Sequence, residues 1–156
     1  MAIADISPLI TDTSLDLLEL RHRRRESALH QLVQCAVEHQ AVRHPGLLET
    51  LLVRRERFGS TALGRTHAVT GAWSWCVRTP LVVVGLSGKG LDWGDDVGVD
   101  VELVALVLTP GESGEELHFR RMEAVTGAFR LQRQRQRLFD HRDLPTLSLL
   151  LRELPR

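Results

Sequence analysis

The sequence predicts an α/β protein with one mixed β-sheet flanked by helices. Two predominantly apolar segments of strand length, residues 81–86 and 101–110, are typical of strands that are buried on both faces. Segments whose apolar residues recur at helical spacing precede and follow them. Strand-like and helix-like segments therefore alternate along the chain, which is the pattern of an α/β fold.

The first half of the chain predicts a strand followed by two helices. Residues 15–20 (LDLLEL) indicate a strand or an extended segment. Residues 27–42 carry apolar side chains at i, i+3, i+4, i+7 and i+8, which is the stripe of an amphipathic helix. RHPG at 43–46 ends this helix, and the leucines of residues 47–57 repeat the helical spacing. Gly59 and Gly64 then bracket a turn.

The second half predicts strands, a glycine-rich connection and two further helices. Residues 66–77 (THAVTGAWSWCV) are compatible with a strand, and residues 87–100, rich in glycine and aspartate, predict a connection with hairpin signals. Residues 114–129 predict a helix, and the tail from Pro145 predicts a last short one. The residues expected on the inner face of the first of these helices are Leu117, Met122, Val125 and Phe129.

Length and charge limit the classes of function. With 156 residues and 43% hydrophobic residues, we expect residues 1–156 to form one domain with one core. Lys and Arg together number 20, as do Asp and Glu, so the formal net charge is zero. This balance argues against a protein that holds nucleic acid by bulk electrostatics.

The lack of a recognisable targeting signal and the spacing of the cysteines predict a cytoplasmic protein without metal or cofactor. The chain begins without a basic segment and an apolar core of the secretory type, and its longest apolar run, residues 81–86, is far shorter than the roughly 20 residues of a membrane span. Cys35 and Cys76 do not form a CxxC motif. We expect two reduced, buried thiols rather than a disulfide or a metal site.

The motif RERFGSTALG at residues 55–64 is the most informative stretch. It resembles the REKxGSTGIG signature of enzyme IIA domains of the bacterial phosphotransferase system, in the fructose, mannitol and nitrogen-regulatory branch. GLDW at 90–93, VELVALVLTP at 101–110 and LHF at 117–119 follow in the order of that family. The resemblance covers about residues 15–153 and implies the mixed-sheet fold of the family.

The resemblance also implies that the central residue of the site is missing. In the family a histidine accepts a phosphoryl group from the phosphorylated histidine carrier protein and passes it to a IIB domain. Aligned without gaps from Ser60, the family's STGIGNGIAIPHG falls on STALGRTHAVTGA. Thr70 therefore stands at the proline position and Gly71 at the phospho-acceptor position. Glycine has no side chain that can carry a phosphoryl group.

Other residues match the family's site. His118 matches the second histidine, which supports the phosphoryl group, and Arg55 matches the arginine of the signature. Ser60 and Thr61 match its Ser-Thr pair. Each also has a purely structural interpretation: a solvated helix face for Arg55, a turn for Ser60 and Thr61, and packing at a helix start for His118.

His67 does not replace the missing nucleophile. It lies four residues before Gly71, so on a strand it points to the same face but is displaced by roughly 13 Å. Phosphoryl transfer loses orders of magnitude in rate when the reacting groups are displaced by about an ångström. A half-buried strand residue is the simpler interpretation of His67.

Three hypotheses follow. The first is a regulatory or partner-binding protein that has lost phosphoryl transfer and binds a phosphocarrier, a IIB-like protein or a regulatory target through the surface around Arg55, His67 and His118. The second is an active phosphocarrier that uses His118 or His67. The third is an unrelated α/β domain that binds a small molecule or is purely structural.

Overall fold

The computed structural model describes residues 12–94 and 96–152. The strands within these residues are β1 (Ser14–Glu19), β2 (Ala62–Leu63), β3 (His67–Ser74), β4 (Leu81–Leu91) and β5 (Val101–Pro110). The α-helices are α1 (Arg25–Glu38), α2 (Pro45–Phe58), α3 (Glu115–Phe129), α4 (Gln132–His141) and α5 (Leu144–Arg152). A short 3₁₀ turn, Gly111–Ser113, connects β5 to α3.

The five strands form one mixed sheet in the order β1-β4-β5-β3-β2. β1 is parallel to β4 and β3 is parallel to β5, whereas β4 and β5 are antiparallel and β2 pairs antiparallel with β3. Helices lie on both faces of this sheet. The predicted fold class is therefore confirmed.

Two cores lie on opposite faces of the sheet because alternate strand residues point to opposite sides. The core under α1 and α2 takes the strand residues Ala68, Leu81, Val83, Val104, Leu106 and Leu108. The core under α3, α4 and α5 takes Val69, Val82, Val84, Leu103, Ala105 and Val107. Burying each leucine or valine contributes roughly 1.5–3 kcal/mol relative to leaving it exposed, so these interleaved apolar positions stabilise both layers.

The helix boundaries follow local chemistry. Pro45 occupies the first turn of α2, where its missing N–H costs nothing and its fixed φ suits the helix. The RHPG segment was expected to end α1, but α1 already ends at Glu38, and the segment begins α2 instead. Among residues 12–94 and 96–152, none of the helices combines the length and the apolarity needed to cross a membrane.

The glycine-rich connection predicted at residues 87–100 is partly wrong, because β4 continues through Leu91. The pairing of β4 with β5 shifts register between Leu86 and Leu91, as at a β-bulge. Gly90 has φ +84° and packs against the carbonyl oxygen of Val99, so a side chain there would be strained and crowded. Glycine permits an irregular strand here rather than a loop.

The inner face of α3 also differs from the prediction. Val125 and Phe129 are buried as expected, and the partly buried Met122 packs against the same core, whereas Leu117 is only partly buried. Two polar residues, His118 and Arg121, face the protein interior at the start of the helix instead. These two side chains belong to the candidate functional site.

Candidate functional site

The site lies on the α3 side of the sheet, where β3 and β5 run parallel and α3 begins. Gly71, in the middle of β3, pairs with Val107 of β5. His118 lies in the first turn of α3 and is 8% exposed. Thr109, near the end of β5, is fully buried beside it. The packing of α3 against β3 and β5 therefore brings Gly71 and His118 together.

The space beside Gly71 is already filled. A Cβ atom built on Gly71 would lie 2.5 Å from the carbonyl oxygen of Val107 and 2.8 Å from Sδ of Met122. It would also lie 3.2 Å from Cε1 of His118. The first contact involves backbone in the middle of the sheet, which cannot move without disturbing the β3–β5 pairing. Position 71 thus has no room for a side chain in this arrangement.

His118 is held by Thr109. Its Nδ1 lies 2.7 Å from Oγ1 of Thr109, and the same oxygen accepts a hydrogen bond from Nη1 of Arg121 at 2.5 Å. Burial, together with the positive charges of Arg121 and Arg55, lowers the pKa of His118 to about 4. His118 is therefore neutral at pH 7, with Nδ1 engaged by the threonine.

Arg121 is a buried cation that the sequence analysis did not identify. It is 1% exposed, and Nη1 also donates to the carbonyl oxygen of Leu108 at 2.9 Å. Nε and Nη2 have no hydrogen-bond partner in the described part of the chain. Burial lowers the pKa of Arg121 to about 10, so the guanidinium stays charged at neutral pH. The helical spacing of apolar residues in the sequence predicts a hydrophobic inner face and therefore does not indicate a buried arginine.

Arg55 lies exposed in the last turn of α2, close enough for its charge to act on His118. Ser60 and Thr61 follow in the turn after α2 and use their polar atoms locally. Ser60 Oγ accepts a hydrogen bond from the amide of Ala62 at 3.0 Å. The amide of Thr61 donates to Glu56 Oε2 at 3.1 Å, and its hydroxyl donates to Glu56 Oε1. These two residues build the turn.

Glu56 anchors this turn to the rest of the protein. The side chain is 3% exposed and accepts, besides the bonds from Thr61, a hydrogen bond from Nε1 of Trp93 at 3.2 Å. It thereby joins α2, the turn and the segment after β4. In the sequence, Glu56 is only one letter of the RERFGSTALG motif, and its hydrogen-bond partner Trp93 belongs to the GLDW block.

His67 and Thr70 are not part of the group around His118. Nδ1 of His67 lies 3.0 Å from Oγ1 of Thr66, and its buried Nε2 has no hydrogen-bond partner among the described residues. Burial, together with the charge of Arg135, lowers the pKa of His67 to about 4. Thr70 is fully buried and alternates to the opposite face, where its strand partner Leu106 packs under α1 and α2.

The chain is similar to curated proteins of the phosphotransferase system. It is 24% identical over 152 residues to the PTS system fructose-specific EIIA component of Haloferax volcanii, covering 96% of this chain and 98% of that protein. It is 32% identical over 108 residues to the PTS system fructose-like EIIA component of Escherichia coli K12, covering 69% of this chain and 71% of that protein.

Solved structures share the fold. The nitrogen regulatory protein IIA-Ntr from Neisseria meningitidis matches with a TM-score of 0.74 at 17% identity. The aligned region covers 94% of this chain and 98% of that protein. IIA mannitol from Escherichia coli has a TM-score of 0.70 at 19% identity, with coverages of 87% and 94%. IIA mannitol in complex with phosphorylated enzyme IIB mannitol, also from Escherichia coli, has a TM-score of 0.71 at 20% identity, with coverages of 87% and 92%.

The match to a family model tests the third hypothesis, that of an unrelated α/β domain. Residues 10–152 match the model described as phosphoenolpyruvate-dependent sugar phosphotransferase system, EIIA 2. The hypothesis of an unrelated α/β domain is therefore wrong. The match spans nearly the whole chain and agrees with the mixed sheet and its flanking helices. This chain belongs to the EIIA 2 family of the phosphoenolpyruvate-dependent sugar phosphotransferase system.

Proposed function

We propose that this chain is a regulatory or partner-binding member of the EIIA 2 family that has lost phosphoryl transfer. The observation that carries the proposal is the filled space at position 71. No imidazole stands there, and the carbonyl oxygen of Val107 and Sδ of Met122 lie where a side chain would begin. A phosphocarrier needs a nucleophile whose adduct can be passed on, and glycine does not supply one.

His67 and His118, the two histidines near Gly71, are poorly suited to accept a phosphoryl group. His67 is 6% exposed and is displaced from Gly71 by roughly 13 Å along the strand. Nδ1 of His118 is engaged by Thr109. In-line transfer needs the nucleophile within about an ångström of the productive position.

The exposed surface next to the site is compatible with the binding of a protein partner. The similar IIA mannitol has been solved in complex with phosphorylated enzyme IIB mannitol. In this chain, aromatic side chains are exposed next to the site: Trp73, two residues after Gly71 on the same strand face, and Phe119, whose ring lies 6.0 Å from that of His118. Aromatic residues and arginines such as Arg55 are enriched at protein interfaces. We propose that this surface binds a phosphocarrier, a IIB-like protein or a regulatory target of the nitrogen-regulatory or fructose type.

Labelling with radioactive phosphoenolpyruvate tests the proposal. The chain is mixed with enzyme I and the histidine carrier protein of Escherichia coli, and the fructose-like EIIA component of that organism serves as the positive control. We expect the control to be labelled and this chain to stay unlabelled. Stoichiometric, acid-labile labelling of this chain would refute the loss of transfer.

One observation favours the second hypothesis, an active phosphocarrier. His118 is neutral, lies beside position 71 and has the charges of Arg55 and Arg121 nearby, as a phosphoryl acceptor requires. If the chain is labelled, His118→Ala and His67→Ala identify the acceptor. Loss of label in only the first variant would assign transfer to His118.

A further inference from the structure

A second cluster of reactive side chains lies on the other face of the sheet. Asp16 is on β1, Cys35 is on α1, and His39 directly follows α1. Oδ2 of Asp16 lies 3.2 Å from Sγ of Cys35 and 2.7 Å from Nε2 of His39. One donor atom from each residue fits within 4.8 Å of the other two. Among the described residues, no other group of histidine, cysteine and carboxylate side chains comes together in this way.

The fold creates this cluster from distant parts of the chain. Cys35 and His39 are four residues apart, so the helix places them one turn apart on the same face. Asp16 has the same strand parity as Leu18, which packs against the core under α1. Strand β1 forms the sheet edge and is three strand positions away from β3. The cluster is therefore separate from the site at Gly71, and the two proposals stand or fall independently.

We propose that Asp16, Cys35 and His39 bind a divalent transition-metal ion of the zinc type and leave a fourth position open. Thiolate, imidazole and carboxylate are the three ligand types of protein zinc sites, and three protein ligands with one open position are typical of reactive rather than purely structural sites. In a tetrahedral site the donor atoms are on the order of 3.5 Å apart, given metal–ligand bonds of about 2.0–2.3 Å. Only small side-chain shifts separate the observed cluster from that geometry.

The surroundings favour an accessible ion. Asp16 and Cys35 line a cavity of about 520 Å³, and further residues lining it are His22, His30 and Glu38. Asp16 Oδ1 accepts a hydrogen bond from the amide of Leu17 at 2.8 Å, which orients the carboxylate and leaves Oδ2 for the ion. An ion can thus reach the cluster from solvent, and a small ligand or water has room at the fourth position.

Binding of the ion would replace hydrogen bonds that now join the three side chains. The Cys35 thiol donates a hydrogen bond to Oδ2 of Asp16 at 3.2 Å. The thiol is therefore protonated before metal binds. When the metal–sulfur bond forms, the S–H bond breaks and the proton is released to solvent. The balanced step needs no oxidant or reductant.

Cobalt titration tests the proposal because cobalt(II) reports its ligands by colour. The reduced full-length chain is freed of metal with a chelator and titrated with Co²⁺. We expect one ion per chain, with the near-ultraviolet charge-transfer band of a cobalt thiolate and the visible bands of a tetrahedral site. Excess Zn²⁺ should abolish these bands by displacing cobalt.

Matched variants identify the ligands. Cys35→Ser should remove the charge-transfer band, whereas Cys76→Ser, which changes the other buried free cysteine, should keep it. His39→Gln changes a partly exposed side chain and should weaken cobalt binding at least tenfold even if the cysteine variant folds poorly. Absence of a thiolate band in the unmodified chain, or a band that survives Cys35→Ser, would overturn the proposal.

Discussion

At the scale of single residues, Gly71 shows how closely the sheet and α3 pack around a strand position that has no side chain. Removing a large side chain from a packed region ordinarily leaves a cavity, which destabilises the fold in proportion to its volume. Here the flexible thioether of Met122 approaches the strand, and His118 closes the other side. The site is packed around glycine rather than left empty.

Gly71→Ala should therefore destabilise the protein. The added methyl group would lie 2.5 Å from the carbonyl oxygen of Val107, so backbone or strand pairing must shift. Overpacking of this kind costs about 1–3 kcal/mol. The free energy of unfolding in urea, compared with that of the unmodified chain, measures the effect.

Gly127→Ala is the matched control for this experiment. Gly127 lies inside α3, and a Cβ there has no atom within 4 Å. Alanine has the higher helix propensity by about 1 kcal/mol, so this variant should be as stable as the unmodified chain or more stable. Equal stability of the Gly71 and Gly127 variants would show that position 71 has room for a side chain.

At the scale of elements, Glu56 connects α2 to the turn that carries Ser60 and Thr61. Glu56→Ala should leave the indole N–H of Trp93 and the amide of Thr61 without their acceptor. Since an unsatisfied buried donor costs about 1–3 kcal/mol, we expect a loss of roughly 2–4 kcal/mol in the free energy of unfolding. Urea unfolding measures this loss.

Glu49→Ala serves as the control on the same helix. Glu49 pairs with the exposed His30 at 2.7 Å, and exposed pairs contribute at most about 1 kcal/mol. A Glu56 variant that unfolds at the same urea concentration as the Glu49 variant would contradict an anchoring role for Glu56.

The elements differ in how well the sequence predicts them. β5 could be predicted because an apolar run ended by Pro110 has few alternatives. The end of β4 could not, because the glycines around Lys89 give the local signal of a loop, while pairing with β5 makes the segment a strand. The start of α3 was misjudged because His118 and Arg121 face inward, where an amphipathic pattern predicts apolar residues.

The two candidate sites differ in the same respect. The candidate site at Gly71 could be proposed from the sequence because its motif is contiguous, although the contact of Met122 depends on tertiary packing. The cluster of Asp16, Cys35 and His39 could not be predicted, because the sequence indicates no metal site. Its carboxylate comes from a strand 19 residues before the cysteine, a separation that sequence spacing does not reveal.

At the scale of the whole molecule, the sheet separates two chemically different faces. The α3 face holds neutral, buried histidines beside buried arginines, and the α1 face holds the candidate metal ligands. His67 and His118 matter for global stability because burial lowers the pKa of both to about 4, while an unfolded histidine titrates near its ordinary value of 6.5. The unfolded chain therefore binds more protons than the folded chain between these values.

This difference predicts a loss of stability in mild acid. The contribution of each histidine is fully present above pH 6.5 and is lost as the pH falls toward 4. Between about pH 7 and about pH 4.5 we expect a decrease on the order of 2 kcal/mol for each histidine. Asp16 and Glu26, whose pKa values lie below the ordinary ones, lose their contributions only at lower pH.

Urea unfolding of single variants separates the two contributions. His67→Gln and His118→Gln cannot be protonated in this range, so each should reduce the difference in unfolding free energy between about pH 7 and about pH 4.5 by roughly half. His141→Gln changes an exposed histidine at the end of α4 and should leave the difference unchanged. If the His67 and His118 variants keep the full pH dependence, the two imidazoles bind protons over the same pH range in the folded and the unfolded chain. Burial would then not lower their pKa values, and His118 would already become a cation at the start of α3 below about pH 6.5.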